Sequence, residues 1–137
     1  MNAPSDDIKD ILLAAGDSSE FSFDLGDDLH VGVEPSKPNV TRCVTISDSP
    51  GFSPMLGLTT VGYEYPFIQI LIRHIDYLDG YNLANDIKDY LHGRANETRN
   101  GSLYTLIRCT GNPAFLGRDD RGSFLFVINF NLQRRAA

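Results

Sequence analysis

Two runs of period-two alternation constrain this chain more than any other feature. In "YPFIQILIRHIDY" (Tyr65–Tyr77), Ile68, Ile70 and Ile72 share one face; Phe67, Gln69, Leu71 and Arg73 share the other. In "SFLFVINFNLQ" (Ser123–Gln133), Phe124, Phe126, Ile128, Phe130 and Leu132 line one face, opposite Ser123, Leu125, Val127, Asn129, Asn131 and Gln133. Successive strand side chains point to opposite sides, so each run offers one apolar face to a core and one mixed face to something else. Two such strands commit the chain to a sheet covered on one side.

Two helical patterns supply the cover. In "SDDIKDILLAAG", Ser5 is placed as N-cap, Asp6 and Asp7 face the positive end of the helix dipole, and Ile8, Ile11, Leu12 and Ala15 form the buried stripe. Gly16 is the expected stop. In "DYLDGYNLANDIKDYLHG", Leu83, Ala84, Ile87, Tyr90 and Leu91 make the stripe, Asp86, Lys88 and Asp89 lie outside it, and Gly93 ends the helix.

Shorter strands are expected at Leu29–Val33, before the Pro35 and Pro38 punctuation, at "VTRCVTIS" (Val40–Ser47) and at "SLYTLIRCT" (Ser102–Thr110). "RANETRNG" reads as a polar loop and "GNPAFLGRDDRG" as a connection with a short extended piece. The segment from about Asp48 to Glu64, rich in Gly, Pro, Ser and Thr, reads as a long loop of the kind that is functional or disordered. The prediction is a single domain over residues 1–137, α+β in class: a twisted, mainly antiparallel sheet with two helices packed on one face.

The mixed faces then need a partner or water. Phe67, Gln69, Leu71, Arg73, Asn129 and Asn131 compose a half-apolar, amide-rich surface of the type found between subunits. The alternative is an ordinary solvated sheet face carrying a few apolar residues.

A net charge of −6 and a pI near 4.8 exclude a protein whose main work is gripping nucleic acid through phosphates, and also a polybasic membrane anchor. No run approaches a spanning helix in length, so no membrane association is expected. "MNAPSDDIKD" lacks the pattern of a signal peptide, and Cys43 and Cys109 are too few for a disulfide framework, so a cytosolic folding compartment is expected.

No catalytic, cofactor or metal signature is present. His30, His74 and His92 have no zinc-site spacing, and there is no CxxC, GxSxG, Walker or GxGxxG motif. His74 and Asp76 read as a strand-end histidine beside a helix-capping aspartate, and Asp119–Asp120 in "GRDDRG" as a charged hairpin turn. The competing reading, a small enzyme or ligand-binding domain, rests on those four residues alone.

The order of elements and phrases carries a resemblance. "TRCVTISDSPG", a loop, "YPFIQILIRHIDYLDGYNLANDIKDYLHG" and "LYTLIRCTGNPAFLGRDDRGSFLFVINFNLQRR" together resemble the bacteriophage minor capsid or tail terminator (tail-completion) family of long-tailed phages, over roughly Ile8 to Arg134. The resemblance implies a virion protein assembled in the host cytoplasm, with no catalytic residues and no cofactor. It implies a homo-oligomeric ring, usually hexameric, at the head-proximal end of the tail tube. Such a ring ends tube polymerisation and docks the head-completion (stopper) proteins of the neck, while genome DNA passes through the lumen without specific binding. On that expectation the mixed sheet face meets a neighbouring subunit. Phe52, Met55 and Leu56 of the long loop, with Arg94, Asn96 and Arg99 of the polar loop, face the axial partners. The remaining alternative within the same setting is another head–tail joining protein, such as an adaptor, a stopper or a tube-like neck subunit.

Overall fold

The two alternating runs become the central pair of strands. The computed structural model describes residues 2–15, 29–32, 42–52 and 62–136. In chain order these hold α1 (Pro4–Ala15), β1 (Leu29–Val31), β2 (Arg42–Phe52), β3 (Tyr65–His74), α2 (Tyr77–Leu91), β4 (Glu97–Arg99), β5 (Ser102–Cys109), β6 (Ala114–Arg118) and β7 (Phe124–Ala136). The sheet order is β1-β2-β3-β7-β5-β4, and β6 also pairs with β7. Among the described residues only the β1–β2 pairing is parallel. The class is α+β with two helices, as the alternation predicts.

Ile68, Ile70 and Ile72 of β3 and Phe126, Ile128, Phe130 and Leu132 of β7 are all essentially inaccessible. They form one cluster with Ile8, Ile11 and Leu12 of α1 and Leu83, Ala84, Ile87 and Leu91 of α2. Both helices therefore cover the same sheet face. Burying each such side chain stabilises the fold by about 1.5–3 kcal/mol before entropy is counted. Gly80 lets α2 approach closely: a Cβ there would lie 2.8 Å from the Phe126 ring and 2.9 Å from the His74 Cβ.

The start of α1 differs from expectation. Helical geometry begins at Pro4, where a missing N–H costs nothing, so Ser5 lies inside the helix and is not its cap. The capping groups come from elsewhere. The Ala3 carbonyl accepts from the Asp6 and Asp7 amides. The Asp48 carboxylate accepts from the Ser5 amide at 2.9 Å and from its hydroxyl at 2.6 Å. Asp7, expected near the dipole in the first turn, turns inward and is fully buried. It accepts hydrogen bonds from the Tyr104 hydroxyl and, at 2.7 Å, from Asn100 Nδ2.

Three boundaries also move. β2 continues through Asp48 to Phe52, so the long connection is shorter than the span 48–64. It continues past a bulge: its register with β3 shifts between Ser49 and Phe52, opposite Pro66, which has no N–H to give a regular ladder. "RANETRNG" contains strand β4, joined to β5 by a turn at Asn100–Gly101, both at positive φ. That pair is the preferred dipeptide of a tight hairpin, and its signal was present in the sequence. The extended piece in "GNPAFLG" is strand β6. Gly16, Val33, Pro35, Pro38, Val40 and Thr41 lie outside the described residues.

Candidate assembly surface

The face of the sheet away from the helices is built by register. Phe67 pairs with Asn131, Gln69 with Asn129, Leu71 with Val127 and Arg73 with Leu125. Thus the six residues singled out in the sequence do meet on one contiguous surface across β3 and β7. On the β2 side the row continues through Ser49, Ser47, Thr45 and Cys43, and on the β5 side through Arg108 and Leu106. Asn129 is exposed, and Phe67, Gln69, Leu71, Arg73 and Asn131 are half-buried. The surface is drier toward one end, where Cys43, Thr45 and Val127 are buried. Toward the other end it opens into a groove of about 180 Å³ lined by Tyr65, Phe67, Leu106, Arg108, Asn131 and Gln133.

At the dry end, the Arg73 Nε lies 3.0 Å from an Asp119 carboxylate oxygen. Asp119 also accepts from the Arg121 amide at 2.9 Å and the Ser123 amide at 2.8 Å. Desolvation pushes its carboxyl upward, but those two amides and the Arg73 and Arg121 charges win, holding it below the usual range. "GRDDRG" is therefore the β6–β7 turn, with Asp119 as its organiser and Arg73 tying it to β3.

His74 and Asp76 have structural work. The His74 Nδ1 accepts from the Asp76 amide at 3.0 Å, and the Asp76 side chain caps α2 by accepting from the Asp79 amide at 3.0 Å. Burial lowers the His74 pKa below its ordinary 6.5, against the pull of Asp79 and Asp76. A base whose folded pKa is depressed favours the neutral form in the native state. Stability is then fully present above pH 6.5 and declines as the pH falls below it, where the unfolded chain takes up a proton that the folded one resists. Thermal melts should hold level above that pH and shift downward below it, and a His74→Gln variant should lose this slope. An unchanged slope in the variant would assign it to other groups. Among the described residues no three of His, Cys, Asp and Glu gather in a way that would hold a metal ion.

The residues expected to face axial partners are placed differently from one another. The Arg94 Nε donates to the Tyr90 carbonyl at 2.8 Å, its Nη1 reaches Glu97 at 2.6 Å, and its guanidinium lies 3.9 Å from the centre of the Tyr90 ring. It closes the C-terminus of α2. Arg99 donates to the Thr98 carbonyl and lies 3.7 Å from Glu97. Asn96 is exposed at φ 58°, just before β4. Phe52 ends β2, while Met55 and Leu56 lie outside the described residues.

One surface was not legible in the sequence. Ile75 (56% exposed), Tyr77, Leu78 (69%), Phe115 and Leu116 (56%) are large, apolar and solvent-facing around the start of α2 and on β6. The Tyr77 and Phe115 rings meet edge to face with centroids 5.2 Å apart, so the two elements share one rim. The only local sign was "AFL" in a run without a periodic partner.

Among the described residues the helices cover one sheet face, and the opposite face is contiguous, half-apolar and rich in amides, which defines a two-layer α+β arrangement. The chain belongs to the bacteriophage tail terminator family: the model of the bacteriophage tail terminator protein matches residues 18–135. Membership makes it a structural protein of the phage tail, located in the virion. No match is found among curated proteins.

Proposed function

We propose that this protein forms a closed ring, a hexamer, at the head-proximal end of the tail tube, where it ends tube polymerisation and joins the tail to the head-completion proteins of the neck. The observation that carries this reading is the contiguous face of Phe67, Gln69, Leu71, Arg73, Asn129 and Asn131, which sets apolar area beside the amide side chains of Gln69, Asn129 and Asn131. In a ring each subunit contributes this face to a contact with a different surface of its neighbour. The net charge of −6 suits a lumen through which DNA slides without being held. Phe52, Met55, Leu56, Asn96 and Arg99 are proposed to face the axial partners, with the tail tube protein on one side and the stopper on the other. Arg94 serves α2 first.

Leu71→Glu is the cleanest test of the face. Leu71 lies mid-strand on the side away from the helices, whereas reversing Arg73 would also break its ion pair with Asp119. Light scattering and electron microscopy should show rings for the natural protein, alone or on tail tubes. They should show at least a tenfold weaker assembly for the variant at a temperature where circular dichroism shows it folded. A natural protein that stays monomeric in both conditions and never caps a tube would sink the proposal.

A further inference from the structure

We propose that subunits join head to tail, the apolar rim around Tyr77, Leu78, Phe115 and Leu116 of one copy seating on the groove around Tyr65, Phe67, Leu106 and Arg108 of the next. The inference rests on the ring reading and names the second half of its contact. The rim and the groove cannot meet within one molecule. β3 begins at the groove with Tyr65 and ends at His74, next to the rim, and β7 runs back from Phe124 to the groove. Ten strand residues put roughly 30 Å between them.

Three observations fit the two surfaces to each other. The rim is apolar, with Leu78 and Leu116 more than half exposed, whereas the groove is a concave mixture of aromatic, aliphatic and amide groups. The groove, about 180 Å³, is smaller than the roughly 300–1,000 Å³ typical of small-molecule pockets, so it suits inserted side chains. The charges of the α2 side of the rim and the groove are also opposite. Asp76 and Asp79 are exposed beside Tyr77 and Leu78, while exposed Arg108 lines the groove and has no ion-pair partner among the described residues. Arg118, on the β6 side, is held over the Phe124 ring and donates to the Gly122 carbonyl. Unlike patches that complement each other at opposite ends of one chain generate a heterologous contact. Such a contact closes into a ring when its rotation permits and otherwise runs on as a filament.

This geometry has a distinctive test, because two defective copies can complement each other once and no further. Leu116→Lys spoils the rim and Leu106→Asp spoils the groove. Both residues are exposed (56% and 39%), and a lysine on an outer strand is well tolerated. Each variant alone should be monomeric by analytical ultracentrifugation, with association at least tenfold weaker. Mixed in equal amounts they should form dimers that do not grow, since only one intact rim and one intact groove face each other. Circular dichroism melts verify the fold, and Arg108→Glu replaces Leu106→Asp as the groove variant where that one melts early. Variants that still form rings like the natural protein overturn the rim-and-groove contact and leave the ring standing. Monomers that stay monomeric on mixing also overturn it. A natural protein that never self-associates, alone or on tail tubes, overturns both.

Discussion

Replacing Asp7 by alanine is expected to cost about 3–5 kcal/mol of unfolding free energy, the range seen when one partner of a buried charge pair is removed. Asp7 has no solvent exposure. It accepts from Tyr104 and Asn100, and the Arg134 Nη1 lies 3.8 Å from it. Arg134 in turn donates to Glu64 at 2.9 Å and to the Asn2 carbonyl at 2.8 Å. Removing the carboxylate leaves a buried phenol without its acceptor and weakens the charge balance of a largely buried guanidinium. The Tyr104 hydroxyl is held firmly protonated, first by burial and then by its bond to Asp7, so it remains a donor with nowhere to donate. The melting temperature should fall by roughly 10–20 °C. Asp7→Asn keeps an oxygen for Tyr104 and should lose less. Urea titrations of the two variants decide the point: equal losses would show that the charge, and not the hydrogen bond to Tyr104, is what matters. No loss in either would remove the network from any account of stability.

The second large effect is expected at Gly51. Its φ is +71°, and a Cβ added there would lie 2.1 Å from the Tyr65 carbonyl oxygen and 3.0 Å from the Phe67 nitrogen. Both obstacles are backbone, which cannot rotate out of the way as a side chain would. Gly51→Ala must therefore open the β2–β3 bulge or unpair the end of the ladder, at a cost of about 2–4 kcal/mol from strain and overpacking together. Because Phe67 and Tyr65 border the groove on the face away from the helices, the same variant should, on the ring proposal, weaken self-association beyond what its lost stability explains. Hydrogen exchange at the amides of Tyr65 and residues 67–69 gives the local reading. Protection equal to that of the natural protein would mean that the bulge absorbs the methyl group.

What the sequence revealed follows from how local each signal is. Alternation in β3 and β7 and the helical stripes need no distant information, and the core residues they assigned among those whose burial is described are buried or packed against the core. The six residues of the face away from the helices were legible for the same reason: once two strands alternate, the remainder of each must share a side, and pairing at Gln69–Asn129 brings the two sides together. Long-range chemistry was not legible. Nothing near Ser5 announces that Asp48 will cap its helix, and nothing near Asp7 announces that it will turn inward to meet Tyr104. That Arg94 also holds the end of α2 was not legible, because its bond to the Tyr90 carbonyl goes to the backbone and leaves no mark in the residue pattern, and the Glu97 three residues on looks like an ordinary loop charge. The rim was hidden because Tyr77 and Phe115 come from separate elements and look like ordinary core aromatics until the fold leaves them outside.

β7 has a consequence for the order in which the domain is made. It borders β3 along one edge and both β5 and β6 along the other, yet it follows all the other strands in the chain. The β4–β5 and β6–β7 hairpins are local and can nucleate within microseconds. The union of β3 with β7 is not local. It must close a long loop, and loop closure of that kind slows folding and exposes the apolar edges while it waits. Until β7 is in place, the isoleucines of β3 have β2 on one side only and the six-residue face does not exist. On the ring proposal, assembly competence is thus acquired late, by the strand that completes the sheet, and partially folded copies lack the proposed contact face with which to enter a growing ring and poison it.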